Sequence, residues 1–132
     1  MRKVMVGAAG VMLAAMVYGC ATTEQSLRAK GMAPQTQKEL EERFSKPVKL
    51  RFDNNVGGRS TVAYMPDGTG RVEWPGGGDT GRWQVKDGKI CVTWTKLRDG
   101  KEGCFTSFKT GPKDYMSFNP DGSLNGTSTE ID

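Results

Sequence analysis

From Val48 onward, apolar residues recur at every second position, in short runs closed by turn signals, and this leaves few folds open. Val48, Leu50 and Phe52 alternate with Lys49, Arg51 and Asp53. Val62 and Tyr64 mark a second strand, Val72 and Trp74 a third, Trp83 and Val85 a fourth, and Ile90, Val92 and Trp94 a fifth. Further strands are expected over residues 102–109, 115–118 and 124–131. Successive side chains of a strand point to opposite faces, so each run buries one face. Asp-Gly pairs at 67, 87, 99 and 121 suit tight turns, because Gly takes positive φ without penalty. Seven to eight short antiparallel strands predict a mainly β fold, a small barrel or sandwich. Closure into a barrel would also remove exposed edges.

One short helix is expected before the strands. Thr36 and Glu39 have capping-box spacing, and Leu40 and Phe44 lie four apart on one face. The helix is placed over 37–44, and Pro47 stops it. Glu39, Glu41 and Glu42 read as its solvated face. Residues 20–33 are polar, small and non-periodic, and read as a flexible tether. The β domain then spans 34–132.

The first nineteen residues have the grammar of an export signal. Arg2 and Lys3 form a cationic start, and residues 4–17 carry no charge. As a helix this run spans about 21 Å, short of the ~30 Å hydrocarbon core, which favours a cleaved signal over a permanent span. It ends in Val17-Tyr18-Gly19-Cys20, which resembles the lipobox of bacterial lipoproteins, with Tyr18 where smaller residues are usual. The resemblance implies that Cys20 is lipidated and becomes the first mature residue. Several acyl chains give stable membrane anchoring, at about 0.8 kcal/mol per buried methylene. Ala21, in place of Asp, implies sorting to the outer membrane in a two-membrane cell, with the domain facing the periplasm of the cell envelope.

Three Cys and no His are present. With Cys20 lipidated, Cys91 and Cys104 remain, in the two strands flanking one predicted hairpin. Export places them in an oxidising compartment, so a structural disulfide is expected. The pair lacks Cys-x-x-Cys spacing, and no His is available to activate a thiolate.

Gly81-Arg82-Trp83, Cys91, Trp94 and Cys104, behind the short helix and the Pro66-Asp67-Gly68 turn, form a Gly-x-Trp…Cys…Trp…Cys pattern. It resembles a bacterial domain-of-unknown-function family of small exported β proteins, over about 34–119. The chain departs from that family at Ser45-Lys46-Pro47, where Gly-Lys-Thr is usual. The resemblance implies fold and export, and no activity.

The absence of His excludes a Ser-His-Asp triad and a histidine metal site. No catalytic residue, cofactor or metal is expected. Asp121 to Asp132 has the spacing of an EF-hand loop, but Ser128 stands where such loops carry an aliphatic residue, and a strand precedes it. The formal charge is +4, and without Arg2 and Lys3 the balance is 17 against 15. With no basic run, nucleic acid is not an expected partner. Tyr64, Trp74, Trp83, Trp94 and Tyr115 are the candidate ligand or partner contacts. They could line a barrel mouth, but a narrow barrel is just wide enough for its own side chains, and the expectation is that they fill it. The expected function is a non-catalytic binding or structural role in a lipid-anchored envelope protein, with an envelope protein as a possible partner. The alternatives are a hydrolase inhibitor, with contacts in loops 54–59 and 75–80, and a carrier of a small hydrophobic ligand.

Overall fold

The computed structural model describes residues 22–132. Cys20 and the expected signal over 1–19 lie outside the described residues. Among the described residues, two helices, α1 (Glu24–Ala29) and α2 (Gln37–Arg43), precede eight strands. These are β1 (Val48–Asn54), β2 (Arg59–Tyr64), β3 (Thr69–Trp74), β4 (Gly77–Lys86), β5 (Lys89–Trp94), β6 (Glu102–Lys109), β7 (Asp114–Phe118) and β8 (Leu124–Glu130). Each strand pairs antiparallel with the next, and β8 pairs with β1, closing an up-and-down barrel. The expected barrel is therefore present and the sandwich is not.

Register fixes which side chains enter the barrel, because directly opposed residues share a face. Leu50 faces Val62, Val62 faces Val72, and Trp83 faces Val92, so the inward row of β1 to β5 is the apolar one read from the sequence. The turns behave as their residues require. Asp87 and Gly88 both hold positive φ, 54° and 71°, which closes the β4–β5 hairpin with two residues. In the EF-hand-like segment, Asp121 accepts hydrogen bonds from the backbone N–H and hydroxyl of Ser123, making a local turn.

One end of the barrel is stoppered. The Thr36–Glu39 capping box forms as expected and starts α2. Leu40 and Phe44 on its inner face are fully or almost fully buried against Val48, Leu50, Ile90 and Val92. Gln37 fastens the helix to the β4–β5 turn: its amide donates to the Val85 carbonyl and its side-chain oxygen accepts from the Gly88 N–H.

The segment expected to be a flexible tether is structured from residue 22. Thr23 and Ser26 cap α1 reciprocally. Leu27 is buried against Phe108 and Phe118, with Met32, Met116 and Leu124 around them. The physical reason lies in β6 and β7. Phe108 and Phe118 point outward, on the faces opposite Ser107 and Ser117, and need a cover. Burying one Leu contributes about 1.5–3 kcal/mol, enough to hold a short segment in place. Residues 23–35 thus form a strap. It runs from the β7–β8 turn, where the Glu24 N–H donates to the Gly122 carbonyl, to the stoppered end, where the Gln35 N–H donates to the Ser107 carbonyl.

Candidate ligand cavity

The barrel interior is not filled. A cavity of about 630 Å³ runs inside it, with Phe44 and Arg43 as its floor and the loops of the opposite end as its mouth. That volume lies within the ~300–1,000 Å³ typical of small-molecule sites. The expectation that the aromatic residues fill a narrow core is corrected, and the reason is the inward row of β6 to β8. Ser107, Ser117 and Ser128 stand there among the cavity walls, opposite the bulky row of β1 to β5. Gly126 also matters, because a Cβ there would lie 2.5 Å from the Phe52 ring. Gly81 does the same for Trp94, whose Cε3 would lie 2.8 Å from an added Cβ.

Four of the five aromatic candidates line this space: Tyr64, Trp74, Trp94 and Tyr115. Trp83 also faces inward, but it is part of the stopper. Its ring packs 5.2 Å from Phe44 and 6.2 Å from Tyr64, and its Nε1–H donates to the Met65 carbonyl at 2.8 Å. Phe52, on the alternating apolar face of β1, and Phe105 line the cavity as well, though neither was among the contact candidates. Period-two parity could have placed Phe105 too.

The polar groups sit mostly at the two ends. At the floor, the Arg43 guanidinium lies 3.4 Å over the centre of the Tyr115 ring. Its Nη1 donates to the Gln35 side-chain oxygen at 3.0 Å and, at 3.5 Å, to the Ser107 hydroxyl. Its Nε is 3.5 Å from the Glu130 carboxylate and makes no hydrogen bond. Burial lowers the Arg43 pKa from its high reference value, opposed by Tyr115 and Glu130. Burial also pushes the Tyr64 phenol up to about 12, with Arg43 opposing, so at neutral pH it is an uncharged donor. Sequence reading missed Arg43 altogether. Its position in the last turn of α2 is readable, but its place under the barrel depends on how the helix docks.

At the mouth, the 3₁₀ turn Leu97–Gly100 holds Arg98 and Asp99 at φ values of 58° and 55°, a left-handed pair without glycine. Asp79 pins this turn. One carboxylate oxygen accepts from the Lys96 and Leu97 N–H groups at 2.8 and 3.0 Å, and these bonds, the Leu97 one foremost, hold its pKa below the usual range. Arg98 stacks over Phe105, 4.8 Å from its centre. Loops 54–59 and 75–80, the partner-contact candidates, both belong to this end.

Cys91 and Cys104 lie directly opposite each other on β5 and β6 and are joined in a disulfide. They face outward, away from the cavity, which makes the bond a staple of the wall. A closed eight-stranded barrel, stoppered at one end and hollow behind an aromatic mouth, has an interior of the size that can hold one small ligand. No family model, curated protein or solved structure matches the chain.

Proposed function

We propose that this protein is a cell-envelope lipoprotein, anchored through Cys20, whose barrel binds and carries a small, largely apolar ligand. The observation that supports it is the cavity: about 630 Å³ of unfilled space whose walls include Phe52, Trp74, Trp94 and Phe105. An apolar interior of that size is costly to leave unoccupied, because its lining forgoes van der Waals contacts on one side. Release of apolar surface from water drives binding, and the few polar groups set orientation. The lipobox resemblance supports the anchor and the outer-membrane address.

Native mass spectrometry of protein purified from its own envelope, without organic extraction, tests the carrier reading. A co-purifying small molecule at one per chain is expected. Protein that emerges empty and also takes up no medium-chain amphiphile would overturn the reading.

A further inference from the structure

We infer that the ligand is an amphipathic acid, bound with its anionic head at Arg43 on the cavity floor and its apolar body between Trp74, Trp94, Phe52 and Phe105. This rests on the carrier reading and adds a ligand class and a direction. Three arginines, Arg43, Arg59 and Arg98, are among the cavity-lining residues, and no Asp or Glu is. Arg59 is paired with Asp53 across the rim at 2.7 Å, and Arg98 stands at the mouth. Arg43 alone lies deep inside, its side chain nine-tenths buried.

A guanidinium has five N–H donors in a planar fork. Of the Arg43 nitrogens, Nη1 alone donates hydrogen bonds to described residues. Glu130, opposite Leu50 on the inward row of β8, approaches only the Nε edge and is partly exposed. The guanidinium lies against the Tyr115 ring with Nε a buried donor lacking a hydrogen bond, and a carboxylate reaching its fork would be held by charge-assisted bonds. The neutral Tyr64 phenol borders the same space and can add a donor.

Dodecanoate and dodecyl alcohol serve as matched probes, since they share one tail and differ in the head. The wild-type protein is expected to bind dodecanoate at least about tenfold more tightly than the alcohol. Arg43→Met is expected to abolish that preference while leaving alcohol binding within a few-fold, and Arg43→Lys to restore part of it. Equal affinity of the wild-type protein for both probes would overturn the inference and leave the carrier reading standing. Binding of neither probe would overturn both. The wild-type comparison decides the matter even if Arg43→Met fails to fold.

A second inference rests on the strap. The geometry points to a barrel held with its mouth against the membrane. Thr23 pairs with Ser123 in the β7–β8 turn, which borders the mouth, and the Asn55 N–H donates to the Asn125 carbonyl beside it. Cys20 is three residues earlier, and three residues reach about 11 Å at most. An anchor at Cys20 therefore cannot let the domain drift or invert freely. Among the described residues, two of the three large exposed apolar residues, Val56 and Leu97, lie in mouth loops, and the third, Met65, lies at the stoppered end. In the 3₁₀-turn loop, Lys96, Arg98 and Lys101 outnumber Asp99, a charge balance suited to anionic headgroups.

The test uses full-length protein whose acylation is verified by intact mass, reconstituted in phosphatidylethanolamine–phosphatidylglycerol vesicles. A fluorophore is placed on Val56→Cys at the mouth or Lys113→Cys at the stoppered end. Nitroxide-bearing lipid is expected to quench the first several-fold more than the second. Equal quenching, or stronger quenching at Lys113→Cys, would overturn the orientation. Absence of acyl mass on protein from its host would overturn the anchor and the orientation together, leaving the cavity argument intact.

Discussion

Replacing Phe44 by Ala is expected to destabilise the protein by about 3–5 kcal/mol, the usual cost of emptying a fully packed aromatic site. Phe44 is 3 % exposed and stands edge-on to Tyr64 at 5.4 Å and tilted against Trp83 at 5.2 Å. Such aromatic pairs contribute about 0.5–1.5 kcal/mol beyond their buried area, so the upper half of the range is expected. The ring is also the cavity floor, and its loss joins the binding space to the stopper. Urea denaturation of the two proteins measures the difference. A loss below about 1 kcal/mol would mean that α2 does not close the barrel in solution.

Removing the disulfide by paired Cys91→Ala and Cys104→Ala substitution is expected to cost about 3 kcal/mol, from the loop closed by a sequence separation of 13 residues. The bond joins strands that already pair, so it acts mainly by limiting the unfolded chain. Folding to the same barrel is expected, with a lower denaturation midpoint and a somewhat steeper slope, because the freed unfolded chain exposes more surface. The same shift should follow addition of reductant to the wild-type protein. Two freely alkylated thiols in protein isolated from its own cells would contradict the bond itself.

The strands were legible because each announces itself twice, by alternation and by a turn. Of the seven to eight strands expected, eight are present, and α2 begins at the capping box that predicted it. The strap was not legible from its own residues. Leu27 and Met32 are its only large apolar side chains facing the wall, and a six-residue helix is too short to show a 3.6-residue period. Its signal lay elsewhere, in the outward-facing Phe108 and Phe118 of strands that also bury their inner faces. Such strands need cover on both sides.

The cavity was hidden for a different reason. Parity places Trp94 and Ser107 on the same inner surface, but whether that surface fills depends on the balance of large and small residues around the closed wall. Ser107, Ser117, Ser128 and Gly126 tip it toward a hollow. Tyr64, Trp74, Trp94 and Tyr115 border the hollow, and the expected role of filler is not what the fold makes of them. Trp83 shows the converse, since an inward aromatic one turn deeper becomes part of the stopper.

The hollow interior can be tested by placing a ligand on one side of the wall or the other. Dodecanoate titrated into isotope-labelled protein should shift the indole N–H resonances of Trp74 and Trp94 saturably at one molecule per chain, while the rings of Phe108 and Phe118 under the strap stay unmoved. Shifts confined to those outer-wall rings, or none that saturate, would contradict a ligand inside the barrel.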